Sequence, residues 1–414
     1  MTAPFPHCRF FGSKLAFTLL DLGETPLSLS YVTAEDLKAG CEPYYPLHAR
    51  VCRECLLVQV DDSVPPDEIF SDYLYFSSYS DSWVEHARRY CADMKERLGL
   101  GPDSLVVEVA SNDGYLLKHF KTMGVPVLGV EPAANVAAAA EQAGVPTHVA
   151  FFGEATANHL KDKGKQADLM VANNVLAHVP GTLDFVKGFA TLLKPEGIAT
   201  FEFPHVLNLI EEIQFDTIYH EHFFYLSLHT VELVFAAAGL RVFDVEEVPT
   251  HGGSLRLFAC RKEASHREAA NVEAMRQKEH AARLDGIEGY EGFDARVREV
   301  KRGFRDFLAR AKAENKRVAA YGAAAKGNTF LNYCGVGTND IECVFDRSRE
   351  KQGHLLPGSH LPVLAPESIA KIRPDYLIIL PWNLAREISA SHAYIKDWGG
   401  RFVIALPKIE ILEP

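Results

Sequence analysis

The stretch from 106 to 114 constrains the fold of this chain more than any other. Its letters, VVEVASNDG, pass from β-branched residues through Glu108 into small polar residues and a glycine. Residues 115–123 have the composition of a helix, and the apolar run 127–130 ends in Glu131. Strand, tight turn, helix and strand in this order predict the opening unit of a doubly wound α/β domain. An acid at the end of the second strand can accept hydrogen bonds from both hydroxyls of a ribose.

The turn itself predicts a cationic ligand rather than a dinucleotide. A pyrophosphate loop has the pattern G-x-G-x-x-G at an open helix N-terminus, whereas this turn carries Ala110 and Asp113, and an acid repels phosphate. S-adenosylmethionine carries a sulfonium and suits Asp113. The motif E-x-A-S-N-D-G, the acid at 131 and the segment 167–174 (ADLMVANN) together resemble class I methyltransferases. An ordinary nucleotide-binding βαβ unit is the alternative.

The cofactor residues that follow from this interpretation lie in the turn, at the ends of the next strands and in an aromatic pair. Phe152 follows a short predicted strand near 147–150, where its ring can lie against adenine or pack in the core. We predict cofactor contacts from Glu108, Ala110, Ser111, Asn112, Gly114, Glu131, Phe152, Asn173 and Asn174.

Length and charge limit the remaining possibilities. A chain of 414 residues with 47% hydrophobic content can form two or three domains with their own cores. The net charge of -12, without a basic run, makes nucleic acid a poor partner. No apolar run approaches the roughly 20 residues of a membrane span, and the N-terminus does not resemble a signal peptide. We expect a cytoplasmic protein without a membrane partner, as a monomer or a homodimer.

Cysteine spacing near the N-terminus predicts a structural zinc site. The predicted ligands are Cys8, Cys52, Cys55 and His7. Two C-x-x-C knuckles would supply four thiolates, but the last position of the first knuckle holds Phe11. Cys41 or His48 are alternatives to His7 as the fourth ligand, and a weakened or absent site is the other possibility. A bound metal would stabilise a small segment that lacks a large core.

The densest chemistry lies in residues 215–225, FDTIYHEHFFY. An H-E-x-x-H zinc motif is absent, so acid–base chemistry by an imidazole beside a carboxylate is the preferred interpretation. A single buried histidine is usually a hydrogen-bonded core residue. Many titratable side chains in one segment, however, are costly to bury without a use.

Tyrosines upstream and a glycine turn downstream complete the set of motifs. Tyr73, Tyr75 and Tyr79 alternate with small or apolar residues, which fits either an edge strand or a pocket wall whose hydroxyls bind a substrate. The segment 249–256, PTHGGSLR, turns sharply into a strand, and its glycines allow close backbone approach.

Taken together, the motifs resemble the sugar C-methyltransferases that act on nucleotide-linked deoxysugars. The matching elements are the cysteine knuckles, Y-x-Y-x-S-S, VEVASNDG, E-P-A, N-N-V, Y-H-E-H and H-G-G-S-x-R. The resemblance implies S-adenosylmethionine, zinc, and a thymidine- or guanosine-diphosphate 4-keto-6-deoxysugar that is methylated at C3 through an enolate. It implies that His222 is the base, that Tyr219 and Glu221 line the site, and that Tyr73 and Tyr75 face the sugar. Methylation of oxygen or nitrogen, or a non-enzymatic S-adenosylmethionine- or nucleotide-binding regulator, are the alternatives.

The C-terminal third predicts a second α/β domain. A strand runs into 322–329, GAAAKGNT, whose small residues and lysine at a helix start suit an anion but do not match Walker A. The resemblance implies that this module holds the nucleotide diphosphate, while a purely structural domain is the alternative. The predicted substrate contacts are Ser78, Tyr79, His178, His205, Ser254, Arg256, Lys326, Asn328 and Asn383.

The expected fold class is therefore α/β, with three parts. A small zinc-binding segment covers 1–66, a Rossmann-like class I methyltransferase domain covers 67–262, and a helical linker with a second Rossmann-like domain covers 263–414.

Overall fold

A computed structural model describes residues 6–61, 64 and 77–412. Its strands, in chain order, are β1 (Phe17–Thr25), β2 (Tyr45–Val51), β3 (Val58–Val60), β4 (Val106–Val109), β5 (Val127–Glu131), β6 (Thr147–Val149), β7 (Ala167–Asn173), β8 (Leu193–Pro204), β9 (Phe224–Tyr225), β10 (Leu240–Val248), β11 (Ser254–Arg261), β12 (Val318–Tyr321), β13 (Val344–Phe345), β14 (Val363–Leu364), β15 (Tyr376–Ile379), β16 (Arg401–Ile404) and β17 (Glu410–Ile411). Its α-helices are α1 (Ala34–Ala39), α2 (Asp81–Leu98), α3 (Leu117–Thr122), α4 (Ala134–Gln142), α5 (Glu154–Asp162), α6 (Thr182–Leu192), α7 (Val206–Glu211), α8 (Leu228–Ala237), α9 (Ala270–Ala281), α10 (Phe293–Ala313), α11 (Ala325–Cys334), α12 (Ile369–Ile372) and α13 (Ala385–Ser391).

The central sheet has the strand order β10-β11-β8-β7-β4-β5-β6. Strands β8, β7, β4, β5 and β6 are parallel, and β10 and β11 extend one edge in antiparallel pairing. The chain leaves β4 towards β5 and later returns to the other side of β4 as β7. Ligands of open α/β sheets bind at such a reversal, outside the carboxyl ends of the strands. The expected class I methyltransferase fold is confirmed.

The C-terminal sheet repeats this arrangement on a smaller scale. Its order is β14-β13-β12-β15-β16-β17, with parallel pairing except for the last strand. The chain passes from β12 to β13 and β14 and then returns beside β12 as β15, so this sheet also has a reversal point. The expected second Rossmann-like domain is confirmed.

The N-terminal sheet includes one strand, β9, from the central part of the chain. Its order is β1-β2-β3-β9, and in it Val58 pairs with Tyr225 and Gln59 with Phe224. Strand β9 immediately follows the Y-H-E-H motif. The motif is therefore fixed on one side by the N-terminal segment.

Helix α10 links the central and C-terminal sheets and has the alternation of a half-buried helix. Val297, Val300, Phe304 and Phe307 are buried at helical spacing, and the charged residues lie between them. The charges on the linker thus form a solvated face. Among the described residues, none of the helices combines the length and apolar character that a membrane crossing requires.

Helix α11 binds the other two parts directly. Thr329 donates from its hydroxyl to the carbonyl of Ile218 at 3.0 Å, and Asn328 donates from its amide to the carbonyl of Ser28 at 2.6 Å. Both residues are buried. The segment that carries Y-H-E-H is therefore enclosed by all three sheets.

Candidate active site

The turn after β4 has a backbone that few residues adopt. Ala110, Asn112 and Gly114 have φ angles of 54°, 50° and 75°. Glycine is required at 114, because a Cβ atom there would lie 2.9 Å from Cγ2 of Val145. The carboxylate of Glu131 accepts the backbone N–H of Asn112 at 3.0 Å. The turn and the acid predicted to bind ribose therefore lie side by side at the reversal point of the sheet.

Three carboxyl groups surround this turn. Burial raises the pKa of Glu108 well above its usual value, and Asp113 and Glu131 add to the effect. Burial also raises the pKa of Glu131. Oδ2 of Asp113 accepts the backbone N–H of Ser78 at 3.1 Å. Because a positive charge is attracted to neighbouring carboxyl groups, a cation is the ligand that this cluster favours, which fits a sulfonium.

Two predicted cofactor residues direct their side chains elsewhere. Ser111 is fully buried beneath the turn, where a Cβ on Gly129 would lie 2.4 Å from its Oγ. The cofactor contact of Ser111 stays a prediction, and its hydroxyl is not exposed to make that contact. The ring of Phe152 packs against Phe185 and Phe189 at centroid distances of 5.7 and 5.2 Å. Its contact with adenine stays a prediction.

Two asparagines mark the carboxyl end of β7. Asn173 ends the strand, and Asn174 follows with a φ of 54°. The amide nitrogen Nδ2 of Asn174 donates to Nε2 of His251 at 3.0 Å. Among the described residues, Oδ1 of each asparagine is shielded from solvent and has no hydrogen-bond partner. Each asparagine thus retains an unused acceptor at the end of the sheet that carries the turn after β4 (residues 110–114), called the cofactor turn below.

His222 lies at the same end of the sheet and is half-buried. Its Nδ1 donates to the carbonyl of Thr217 at 3.2 Å, so Nε2 is the acceptor of the ring. The hydroxyl of Tyr219 donates to that Nε2 at 2.8 Å. Burial, with repulsion from His178, holds the pKa of His222 well below its usual range. A neutral imidazole with its lone pair on Nε2 is the form that can take a proton.

The loop after β7 carries His178 to this imidazole. The two rings meet edge to face, with centroids 4.6 Å apart. Burial lowers the pKa of His178 to about 4. The backbone N–H of Phe223 donates to the carbonyl of Ala177 at 2.8 Å, which joins the loop to the Y-H-E-H segment. The predicted substrate residue His178 and the predicted base are therefore brought together.

The other two residues of the motif are buried. Burial raises the pKa of Glu221 to about 7, and its Oε2 has no partner among the described residues. His220 donates from Nε2 to the carbonyl of Pro46 at 3.2 Å. Glu221 is thus a carboxyl group that is partly protonated near neutrality, and His220 ties the segment to β2.

Lys326 and Asn383 meet at the boundary between the C-terminal module and this segment. Nζ of Lys326 donates to Oδ1 of Asn383 at 2.8 Å and lies 4.7 Å from the ring centroid of Trp382. The indole of Trp382 donates to Asp216 at 2.8 Å, and burial raises the pKa of Asp216 to about 6. A cleft of about 330 Å³ opens beside Trp382. The positive charge of Lys326 lowers the pKa of His222, so it lies within electrostatic reach of the predicted base.

Four predicted substrate residues are buried and bound to other parts of the protein. They are Asn328, His205, Ser254 and Arg256. The amide of Asn328 binds the carbonyl of Ser28, and His205 pairs with Glu279 at 2.7 Å. These two predictions are corrected, because both side chains hold separate segments together.

The remaining two lie on β11 of the central sheet. Oγ of Ser254 donates to the carbonyl of Thr250 at 3.0 Å. Arg256 pairs with Glu202 at 2.8 Å, and His86 lies 3.0 Å from the same carboxylate. Arg256 therefore neutralises a buried acid instead of meeting a substrate, and Ser254 closes the turn.

The tyrosine cluster is described only in part. Tyr73 and Tyr75 lie outside the described residues. Ser78 lies over the cofactor turn, and Tyr79 is 57% exposed and accepts a hydrogen bond on its carbonyl from Arg347 at 3.0 Å. The C-terminal module thus touches the cluster where it meets the cofactor turn.

Three cysteines converge near the N-terminus. Cys8, Cys52 and Cys55 are buried with their sulfurs within 4.8 Å of one another, and the sulfurs of Cys8 and Cys55 are 3.6 Å apart. Thiolates bound to tetrahedral zinc at about 2.3 Å lie about 3.8 Å apart, so the geometry fits zinc. The backbone N–H of Phe11 and the amide of Gln59 donate to the sulfur of Cys8.

The predicted fourth ligand does not join the cluster. His7 is exposed and forms a backbone bridge with Lys14, so this prediction is corrected. His48 is hydrogen-bonded elsewhere, and Cys41 is exposed. The hydroxyl of Ser13 lies 3.2 Å from the sulfur of Cys52. Within the described residues the group of metal-binding side chains has three members.

Sequence reasoning missed His251 as a site residue. It has a φ of 55°, and its ring centroid lies 5.3 Å from that of Trp83. It also missed Asp216 and Trp382. The available signals were the histidine before two glycines and an acid inside the densest titratable segment.

Comparison with known proteins identifies the family. The chain is 35% identical over 409 residues to C-methyltransferase NovU of Streptomyces niveus. The match covers 99% of this chain and 97% of that protein. The chain belongs to the C-methyltransferase family. Family models match residues 8–70 as a zinc binding domain, 83–245 as a methyltransferase domain and 249–407 as a C-methyltransferase C-terminal domain. The protein is an S-adenosylmethionine-dependent C-methyltransferase with a zinc-binding N-terminal domain.

More distant matches cover the central domain. Ubiquinone biosynthesis O-methyltransferase of Rhodopseudomonas palustris is 29% identical over 93 residues, 22% of this chain and 37% of that protein. The structure of magnesium protoporphyrin IX methyltransferase from Synechocystis PCC 6803 with bound SAH has 15% identity and a TM-score of 0.34, and the match covers 43% of this chain and 83% of that chain.

Proposed function

We propose that this C-methyltransferase methylates C3 of a nucleotide-linked 4-keto-6-deoxysugar. The observation that carries the proposal is the state of His222. Its imidazole is neutral, Nε2 is the acceptor, and the hydroxyl of Tyr219 lies 2.8 Å from that nitrogen. A carbon atom becomes a nucleophile when a neighbouring carbonyl acidifies its hydrogen, and a 4-keto group does this for C3.

The side chains divide the work of enolate formation. His222 takes the C3 proton on Nε2. For this step the Tyr219 hydroxyl transfers its hydrogen bond from Nε2 to the C4 oxygen of the sugar, which frees the lone pair of Nε2 for the proton and stabilises the negative charge as it develops. Glu221, with its pKa raised to about 7 by burial, is partly protonated near neutrality and carries less negative charge beside the enolate than an ordinary carboxylate.

The cofactor side of the cleft is formed by Glu131, the turn at 110–114 and the two asparagines after β7. S-adenosylmethionine supplies an electrophilic methyl group. Glu131 would bind the ribose, while the carboxyl groups near the turn favour the positive charge. Holding the methyl group and the sugar carbon at near-attack distance supplies much of the rate acceleration.

Lys326 and Asn383 would bind the diphosphate of the substrate. Both lie at the start of helical segments, where backbone N–H groups also favour an anion. The cleft beside Trp382 leaves room for a planar group against the indole. The nucleotide therefore bridges the two α/β modules, and the sugar reaches His222.

The test is methyl transfer to thymidine- and guanosine-diphosphate 4-keto-6-deoxyhexoses, with the product analysed by mass spectrometry and NMR. The wild-type protein is expected to place one methyl group on C3. His222→Ala should abolish transfer and retain S-adenosylmethionine binding, and Lys326→Ala should raise the KM for the sugar nucleotide without changing cofactor affinity. A methyl group on oxygen or nitrogen, or near-normal turnover by His222→Ala, would contradict the proposal.

A further inference from the structure

The turn before β11 has an unusual backbone for which the mechanism gives no reason. His251 has a φ of 55°, a left-handed conformation that is uncommon for a residue other than glycine. Gly252 and Gly253 follow with φ angles of 92° and 107°. A backbone of this kind persists where the surrounding structure holds it, and such positions cluster at functional sites.

Three neighbouring segments hold this turn in place. Gln214 donates to the carbonyl of Gly252 at 2.8 Å, and Asn208 donates to the carbonyl of Gly253 at 3.1 Å. The ring of Trp382 lies so close to the first glycine that a Cβ atom there would be 2.2 Å from it. Helix α7, the segment that begins at Gln214 and the C-terminal module therefore meet at this turn. Its histidine contacts Asn174, which follows β7.

The imidazole of His251 fixes the orientation of one amide. An amide nitrogen only donates, so Nδ2 of Asn174 donates to Nε2 of His251 across 3.0 Å. The ring is held against Trp83, and burial lowers the pKa of His251 to about 4, so it stays neutral near pH 7. With Nδ2 bound, Oδ1 of Asn174 must point away from the histidine. That oxygen is shielded from solvent and has no hydrogen-bond partner among the described residues.

The strand order places Asn174 beyond the turn after β4, on the side away from Glu131. Glu131, the ribose acid, ends β5, and the turn after β4 lies between β5 and β7. A cofactor that runs from its ribose across β4 brings its sulfonium towards β7, which Asn174 follows. His222 is joined to the same loop through His178. Asn174 therefore begins the loop whose later residue His178 contacts the base.

We propose that His251 is a positioning residue for methyl transfer, which turns the carbonyl oxygen of Asn174 towards the methyl group of S-adenosylmethionine. The C–H bonds of a sulfonium methyl are polarised, and a carbonyl oxygen is an acceptor for them. The contact holds the methyl group along one direction before the carbon nucleophile arrives. This inference rests on the cofactor placement in the proposed function, but not on the identity of the sugar.

The test compares the affinities for S-adenosylmethionine and S-adenosylhomocysteine by calorimetry, without a sugar. S-adenosylhomocysteine lacks the methyl group and the positive charge, so the contact cannot form with it. His251→Phe keeps an aromatic ring beside Trp83 but has no acceptor. His251→Gln carries an amide at about the position of Nε2. His251→Asn suits a left-handed backbone, but its amide is too short to reach Asn174.

The Phe and Asn variants should raise the Kd of S-adenosylmethionine about two- to fivefold and leave that of S-adenosylhomocysteine unchanged. Their kcat should fall about tenfold or more, because a misdirected methyl group is costly in rate. The Gln variant should keep both affinities and most of kcat. If His251→Phe does not fold, His251→Asn decides the question, since asparagine adopts the left-handed φ readily.

Two results would overturn the inference. One is an equal loss of affinity for both ligands in the Phe and Asn variants, which would show a structural role only. The other is wild-type affinity for both ligands in both variants. Because no sugar is present, a wrong acceptor in the proposed function would leave this measurement readable, and His222→Ala serves as the control that binds both ligands normally.

Discussion

The methyltransferase domain and the C-terminal module contain the same hydrogen-bonded turn, but different neighbours cover the two turns. At the end of β5, Glu131 accepts the N–H of Asn112 and the N–H two residues after itself, at 3.0 and 2.9 Å. After β13, Asp346 accepts the N–H of Ala323 and the N–H two residues after itself, at 2.7 and 2.8 Å. In each module an acid after the second strand binds the turn that follows the first.

The difference lies in what covers the turn. In the C-terminal module the carbonyl of Ala323 accepts from the hydroxyl of Tyr31 at 2.6 Å and from Nζ of Lys351 at 2.7 Å. The same ammonium lies 3.9 Å from the carboxylate of Asp346. The protein's own N-terminal segment and a lysine therefore occupy the second turn. An acid beside a βαβ turn does not suffice for a cofactor site, because the neighbours decide whether the turn stays open.

Replacing the acid of each turn by its amide should give the largest difference in cofactor affinity between the two turns. Glu131→Gln is expected to raise the Kd for S-adenosylmethionine about a hundredfold, because it weakens two charge-assisted hydrogen bonds to ribose of roughly 1.5 kcal/mol each. Asp346→Asn should leave that Kd within about twofold and lower the free energy of unfolding by about 1–3 kcal/mol. Calorimetry and urea unfolding measure the two effects. Equal losses of cofactor affinity in both variants would mean that the second turn also binds the cofactor.

Glu221 sharpens the comparison, because it belongs to the Y-H-E-H motif and lies within electrostatic reach of Tyr31, which closes the second turn. Burial raises the pKa of Tyr31, and Asp346 and Glu221 add to the effect. Burial raises the pKa of Glu221 itself to about 7 from 4.5. A raised acid pKa stabilises the fold fully below pH 4.5, and this contribution is lost as the pH rises to 7.

The wild-type protein should therefore lose up to about 3 kcal/mol of stability between pH 4.5 and 7, relative to Glu221→Gln. Urea unfolding of both proteins at pH 5 and pH 8 measures the difference. If the two pH profiles run parallel, the buried carboxyl group does not carry the expected proton.

The zinc cluster supports the N-terminal segment that closes the second turn. Phe11 stands where a fourth thiolate belongs, and its backbone N–H already contacts the sulfur of Cys8 at 3.3 Å. Phe11→Cys is expected to raise zinc affinity by at least about tenfold, as a fourth thiolate completes the tetrahedron. Competition with a chelator measures the affinity, and Phe11→Ala controls for loss of the exposed ring. An unchanged affinity would mean that another group already fills the fourth position.

The smallest expected effect is at the contact that closes the second turn. Tyr31→Phe removes one hydrogen bond to Ala323, so the free energy of unfolding should fall by about 1 kcal/mol. The carbonyl keeps its bond from Lys351, and cofactor affinity should not change. Urea unfolding and calorimetry test this pair of outcomes. A change in S-adenosylmethionine affinity would contradict the view that the second turn is closed to the cofactor.

The parts of the site that depend on neighbouring residues in the chain could be predicted from the sequence. The turn at 106–114, the acid at Glu131 and the Tyr219–His222 pair follow from strand, turn and short-range spacing. Each of these predictions needed only the local backbone or the reversal point of a parallel sheet.

The errors concern residues whose partners come from distant segments. Asn328 is bound to Ser28, and Arg256 is bound to Glu202, and neither partner is adjacent in sequence. His251 was missed because a left-handed backbone at a residue other than glycine is imposed by surrounding side chains, and its own identity does not reveal it. The sequence identifies these residues as polar, but a partner that is distant in sequence decides whether the side chain meets a ligand.

The most direct measurement of the central claim is hydrogen exchange at C3 of a nucleotide-linked 4-keto-6-deoxysugar in deuterated water, with S-adenosylhomocysteine in the cofactor site. Base catalysis by His222 predicts that the wild-type protein introduces deuterium at C3 without methyl transfer. His222→Ala should exchange at least about a hundredfold more slowly, because a positioned base contributes about that factor or more. Exchange by His222→Ala at the wild-type rate would contradict the assignment of this imidazole as the base.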